Sequence, residues 1–233
     1  MKTIFFDLDE TLFDHRYASQ MGLTALRQKY PKLQQIPIVD LETVFWEIVN
    51  CYHQDILGGK ITREEGRLQR LAALYQQYQL QVPETELVID ALLYRELYQK
   101  NRRPVPGMME ILKLCKSRSI TVAIITNNFH VEQRDKLQAC HMECFIDHLI
   151  TPEQTRVAKP DPAIFRFALQ LCGVAPYEVI MVGDSWEGDI LGAHALGIRS
   201  VWLNRRKQPC PDPGITSEIY EAAELQKLLF EKS

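Results

Sequence analysis

From about residue 104 onward the chain alternates short apolar, β-branched runs with helix-length segments, and this alternation is its strongest constraint on fold. The runs are Thr121–Thr126, Phe145–Ile150, Val179–Val182 and Ser200–Leu203, and a fifth, Thr3–Phe6, lies near the N-terminus. Strands that alternate with helices pair in parallel, and the connecting helices cover both faces of the sheet. One helix is punctuated at both ends, with Asp161 as N-cap, Pro162 at the first helical position, Ala163–Cys172 as body and Gly173 just past the end. Another is expected from about Gly188 to Leu196, stopping at Gly197.

Residues 14–103 break the alternation. Leu41, Val44, Phe45, Ile48 and Val49 recur with helical spacing, as do Leu68, Leu71, Ala72, Leu74 and Tyr75, and nothing there reads as a strand. Gly58-Gly59 and Val82-Pro83 punctuate the segment, and Pro104 with Pro106-Gly107 marks the return to the earlier pattern. The expected organisation is an α/β core of residues 1–13 and 104–233, with an all-helical domain of residues 14–103 inserted after the first strand.

Composition narrows the functional classes. Apolar residues make up 46% and charged residues 24%, which excludes disordered, collagen-like and coiled-coil chains. The net charge of −3 shows no basic excess, so no nucleic acid polymer is expected as a partner. No apolar run approaches the length of a membrane span. Thr3-Ile4-Phe5-Phe6 is cut at once by Asp7, Asp9 and Glu10, unlike a secretory signal. The six cysteines are scattered without a CxxC pair, and Cys140-His141 with Cys144 and His148 is a weak zinc pattern. Buried free thiols and a cytoplasmic location are the expectation.

The chemistry gathers at strand ends. Ligands of a parallel sheet bind beyond the carboxyl ends of its strands. Asp7 and Asp9, followed by Thr11, stand beyond the first strand. Asp184 and Asp189, in Gly183-Asp184-Ser185-Trp186-Glu187-Gly188-Asp189, stand beyond Val179–Val182. Two carboxylates about 4 Å apart repel by roughly 4 kcal/mol at the effective dielectric of a protein surface. Several that converge call for a cation, and all-oxygen ligation suits Mg²⁺ with substrate phosphate. Thr126-Asn127 closes another strand before a helix whose N-terminus accepts phosphate oxygens. Lys159-Pro160 brings an ammonium that neutralises phosphate or carboxylate.

Together these segments resemble the haloacid dehalogenase-like hydrolase superfamily. Its DxDxT motif is similar to Asp7-Leu8-Asp9-Glu10-Thr11, its strand-closing Thr or Ser to Thr126-Asn127, its Lys-Pro to Lys159-Pro160, and its GDxxxxD to Gly183-Asp184 through Asp189. The four occur in family order. The resemblance implies a Rossmann-like parallel sheet core, with the helical insertion as a type-one cap domain. It implies Asp7 as nucleophile, forming an aspartyl-phosphate, and Asp9 as general acid and then base. Mg²⁺ would be held by Asp7, the backbone carbonyl of Asp9, and Asp184, with Asp189 in support. Thr126, Asn127 and Lys159 would hold the phosphoryl oxygens, Lys159 also pairing with the carboxylates.

Asp9 and the Gly183-Asp184 pair favour a phosphatase over a 2-haloacid dehalogenase. A phosphomutase and a non-catalytic binding protein rank lower. The stretches Ile125–Phe129 with Gln133 and Leu137, Lys159–Pro162 with Ile164-Phe165, and Val201–Asn204 resemble the nucleotidase-like branch. That branch carries Gly where Asn128 stands, and Asn tolerates a left-handed backbone. It also approaches the lysine through Gly, where this chain has Thr155-Arg156-Val157-Ala158. The implied substrate is a small phosphorylated metabolite, first a nucleoside 5′-monophosphate, with a sugar phosphate or acylneuraminate phosphate as the alternative. The expected assembly is a monomer or homodimer. In the insertion, the offsets of Arg63, Arg67 and Arg70 place them on one helix face, interleaved with Glu64 and Glu65. Trp186 is expected to be a packed loop aromatic.

Overall fold

The structure, a computed structural model, describes residues 2–231. Strand β1 (Thr3–Phe6) leads into five helices, α1 (His15–Lys29), α2 (Pro31–Gln34), α3 (Ile38–Leu57), α4 (Arg63–Gln77) and α5 (Glu84–Lys100). The rest alternates α6 (Met108–Ser117), β2 (Thr121–Ile125), α7 (His130–Ala139), β3 (His148–Ile150), α8 (Pro152–Thr155) and α9 (Pro162–Cys172). It continues through β4 (Val179–Gly183), α10 (Gly192–His194), β5 (Arg199–Leu203), β6 (Ser217–Ile219) and α11 (Ala222–Phe230). The chain forms two compact units. One joins the segment ending at Asp14 to the segment beginning at Arg103, and the other is His15–Arg102. The division falls one residue inside the expected boundaries. Asp14 and Arg103 stay together because the Asp14 N–H donates to the Arg103 carbonyl at 3.1 Å and the Arg103 guanidinium donates to the Asp14 carboxylate.

The α/β unit is a parallel sheet in the order β3-β2-β1-β4-β5-β6. β1 sits at its centre and is buried at every position. Phe5, Ala123, Ile125, Val179 and Met181 turn to one face, where Ile164, Phe165, Ala168 and Leu169 of α9 and Ala193 of α10 pack on them. Ile4, Phe6, Val122, Ile124 and Val182 alternate with them and are equally buried on the other side. Each large side chain contributes about 1.5–3 kcal/mol on burial. α9 begins and ends as the sequence dictates: Asp161 accepts from the Ala163 N–H at 2.8 Å and Gly173 is left-handed.

Some elements differ from expectation. Glu143–Phe145 forms a 3-10 turn, so β3 begins only at His148. The segment expected as one helix from Gly188 is a π-helical turn, Trp186–Leu191, running into the short α10. β6 was not expected; its three residues bury Ile219 alone. Cys115 and Cys140 are buried, but Cys51 and Cys144 are exposed, so burial of the thiols holds only in part. Among the described residues no helix is long and apolar enough to cross a membrane.

The helical unit has its own core. Leu23, Leu26, Leu33, Leu41, Phe45, Leu71, Leu74 and Tyr75 form it. Asp90 is buried within this unit, where its carboxylate accepts from Lys29 at 2.5 Å, Tyr30 at 2.5 Å and Tyr75 at 2.7 Å. α4 starts on a capping box in which Thr62 and Glu65 satisfy each other's backbone N–H. Arg67 pairs with Glu64 at 3.0 Å along the surface of α4.

Candidate active site

The order of the strands selects the site. The connections run outward from β1 in both directions, so the sheet has a switch point between β1 and β4, the usual place for a ligand crevice. Phe6 is level with Ile124 on β2 and Val182 on β4. One step on, the Asp7 N–H donates to the Val182 carbonyl at 2.9 Å, and the Thr126 N–H to the Ile150 carbonyl at 3.1 Å. Asp7, Thr126 and Asp184 therefore leave the sheet at nearly the same height.

Asp7, Asp184 and Asp189 converge, each offering a carboxylate oxygen within 4.8 Å of the others. Asp189 is fully buried and Asp7 is 7% exposed. Lys159 threads between two of them, its ammonium 2.7 Å from Asp7 Oδ1 and 2.6 Å from Asp189 Oδ1. The second Asp189 oxygen accepts the Ser185 N–H at 3.0 Å, and the Trp202 indole N–H holds the Asp184 carbonyl at 2.8 Å. Trp186, expected as a loop aromatic, opens the π-helical turn and packs edge-on against Trp202 with centroids 5.1 Å apart.

One ammonium does not balance three carboxylates. Burial pushes Asp7 up to about 7; Lys159 opposes this, while Asp189 and Asp9 add to it. Burial likewise lifts Asp184 well above the carboxylate range, and Asp7, Asp189 and Glu10 reinforce the shift. For Lys159 burial works against the charge, but Asp189 and Asp7 outweigh it and raise the ammonium above its ordinary value. The cluster is short of positive charge, and its donors are all oxygen.

The Asp9 carboxylate is bonded to side chains of α7 and of the loop before it. Its Oδ1 accepts from Lys136 at 2.6 Å, and its Oδ2 from Gln133 at 3.0 Å and Asn128 at 3.2 Å. Gln133 also reaches Thr126 Oγ1 at 2.5 Å, which ties Thr126 to Asp9. The Asn127 side chain is committed to Lys159: its amide donates to the Lys159 carbonyl at 2.8 Å and accepts the Lys159 N–H at 2.7 Å.

Four features were not read from the sequence. Glu10 is left-handed at φ 66° and buried, and Arg205 reaches its carboxylate at 3.4 Å. The left-handed residue near the third motif is Arg156 at φ 62°, where the similar branch carries Gly. Asn128 does not take a left-handed backbone and instead spends its side chain on Asp9. Lys136 was missed altogether; its one signal was a basic residue on the inward face of α7, one turn from Gln133.

Comparison with known proteins gives the family of the chain. The family model for haloacid dehalogenase-like hydrolases matches residues 1–197. The chain is 29% identical over 217 residues to the glyceraldehyde 3-phosphate phosphatase of Pyrococcus furiosus, covering 89% of this chain and 82% of that protein. It is 25% identical over 260 residues to the N-acylneuraminate-9-phosphatase of Homo sapiens, covering 98% and 95%. The HAD-hydrolase YfnB of Bacillus subtilis, solved bound to magnesium, superposes with a TM-score of 0.73 at 23% identity, covering 98% of each chain, and so shares the fold.

Proposed function

This chain belongs to the haloacid dehalogenase-like hydrolases, and from that premise we propose that it is a Mg²⁺-dependent phosphatase acting on a small-molecule phosphate monoester. The observation that carries the reading is the convergence of Asp7, Asp184 and Asp189 around a single lysine at the switch point. The two relatives compared over most of their length are both phosphatases. The helical unit takes the part of the cap.

The acidic trio fits Mg²⁺. The ion favours hard oxygen donors and is usually held by one or two carboxylates together with substrate phosphate and water. Asp7, Asp184 and the backbone carbonyl of Asp9 would hold it, with Asp189 supporting them. When bound, it supplies charge neutralisation for the transferring phosphoryl group.

The chain's own groups do the remaining work. Asp7 attacks phosphorus, and as the bond to the leaving oxygen breaks, Asp9 delivers a proton to that oxygen. In the second half-reaction Asp9 takes a proton from water, the water oxygen bonds to phosphorus, and the Asp7 carboxylate is released with inorganic phosphate. Thr126 and Lys159 hold phosphoryl oxygens through the hydroxyl and ammonium. Asn127, whose side chain is spent on Lys159, offers its backbone N–H.

The first test is hydrolysis of p-nitrophenyl phosphate by purified protein with Mg²⁺ and with EDTA. Activity that survives full chelation overturns the metal requirement. The substrate is read from kcat/KM across nucleoside 5′-monophosphates, hexose phosphates, glyceraldehyde 3-phosphate and acylneuraminate 9-phosphate. The core stretches favour the nucleotide, and a tenfold or larger lead of another ester, about 1.4 kcal/mol in transition-state binding, replaces that assignment while leaving the phosphatase standing.

A further inference from the structure

Helix α7 carries two polar groups inward that the reaction above does not use. Of its three buried side chains, Gln133, Lys136 and Leu137, only the last is apolar. Gln133 is fully buried and Lys136 is 5% exposed. Lysine is almost never so buried unless paired, and a buried amide without partners costs on the order of 1–3 kcal/mol in proteins. The two residues are three apart, on one helix face. Both donate to one carboxylate, Lys136 to Asp9 Oδ1 at 2.6 Å and Gln133 to Oδ2 at 3.0 Å. The Lys136 ammonium also lies 5.2 Å from the centroid of the buried Phe13 ring, which fixes the end of its stem. Gln133 further ties Asp9 to Thr126.

We propose that Lys136, aided by Gln133, is a positioning residue for Asp9, holding its carboxylate where it exchanges protons with the leaving oxygen and then with water. The inference rests on the reading of Asp9 as the acid–base group. Asp9 stands on a loop and has two side-chain torsions. Donors on both oxygens, carried by one rigid helix, fix both torsions. Placement to within a fraction of an ångström is what makes a proton donor effective. Lys136 acts through Asp9, the carboxylate it holds at 2.6 Å. This differs from two simpler roles: a cation that draws the phosphate dianion in acts on KM, and a packing residue acts on stability.

The experiment compares Lys136→Met, Lys136→Arg, Gln133→Leu, Asp9→Asn and the Lys136→Met/Asp9→Asn pair, using p-nitrophenyl phosphate and an alkyl phosphate at saturating Mg²⁺. Lys136→Met is expected to lower kcat on the alkyl ester by about 10–100-fold, the range for a lost supporting partner, with a smaller loss on the aryl ester and KM little changed. Lys136→Arg restores most of the rate. In the Asp9→Asn background the Lys136 substitution adds no further loss, because residues acting as a unit are not additive. A loss that sits in KM, equals on both esters, or adds in full to that of Asp9→Asn overturns the proposal. Should Lys136→Met fail to fold, Gln133→Leu alone and in the Asp9→Asn background carries the same comparison. An active wild type with an unimpaired Lys136→Met sinks this inference alone, whereas a wild type inert on both esters sinks the phosphatase reading and this one with it.

Discussion

Asn127 and Lys159 are bound to each other by two reciprocal hydrogen bonds, the Asn127 amide donating to the Lys159 carbonyl at 2.8 Å and accepting its N–H at 2.7 Å. The loop after β2 and the loop before α9 are thereby fastened together, and the lysine backbone is fixed before its side chain reaches Asp7 and Asp189. Asn127→Ala is expected to free that backbone and reduce kcat by about 10–100-fold, as loss of an orienting partner does. Thermal unfolding should show a stable protein. An unimpaired kcat would mean that the ammonium is placed by its carboxylate partners alone.

Asp7→Asn removes the proposed nucleophile and also one of three converging carboxylates. An amide is a poor nucleophile, so turnover of p-nitrophenyl phosphate should fall nearly to background. The metal-free variant should melt no lower than wild type, because it no longer buries the Asp7 charge, whose desolvation and repulsion by Asp189 raise the Asp7 carboxyl. Near wild-type turnover in purified variant protein would remove Asp7 from the chemistry.

Burial of these carboxylates sets a pH dependence. Asp7 titrates near 3.8 when unfolded and is pushed up to about 7 by burial in the fold. The folded state therefore binds the proton more tightly, and the stability this contributes is full below about pH 4 and lost as pH rises through about 7. Asp184 shifts in the same direction. Each pKa unit corresponds to about 1.4 kcal/mol, so metal-free protein should lose a few kcal/mol across this window. If Mg²⁺ is the ion that supplies the missing charge, as proposed, its stabilising shift in Tm should be small at pH 5 and grow toward pH 8. A Mg²⁺ shift independent of pH would contradict the charge deficit.

Why some of this was legible in the sequence, and some not, has a physical basis. Asp7, Thr126 and Asp184 could be read because each closes a run of buried apolar residues, and a parallel sheet presents all such ends on one edge. Asp161, Pro162 and Gly173 mark α9 because capping chemistry is local. β6 escaped because an edge strand with one buried Ile has no periodicity to detect. Lys136, and the bond that Gln133 makes to Asp9, escaped for a different reason. On a helix wheel the two residues look like a solvated face, and only the tertiary approach of Asp9 turns that face inward. Glu10 offered no sign of its left-handed turn, since its bond to Arg205 joins residues far apart in the chain.

The last prediction concerns Gly183, the residue at which β4 ends. A Cβ there would lie 2.1 Å from Asp189 Oδ2 and 2.3 Å from its Cγ, far inside van der Waals contact. Asp189 has nowhere to retreat. It is fully buried, one oxygen is held by Lys159 and the other by the Ser185 N–H. Gly183→Ala must therefore displace Asp189, and with it the lysine that also binds Asp7. Overpacking of this kind costs about 1–3 kcal/mol, which for a chain of this size lowers Tm by roughly 2–12 °C. Activity should fall well beyond what that loss of stability explains, because the displaced groups belong to the site. Gly173→Ala is the control. That residue is left-handed at φ 63° with nothing within 4 Å of a Cβ, so alanine there meets backbone strain of about 1–2 kcal/mol and no neighbour. Its Tm should fall while kcat below the melting range stays that of wild type. If the two variants lose stability and kcat in the same proportion, the contact between Gly183 and Asp189 has no part in shaping the site.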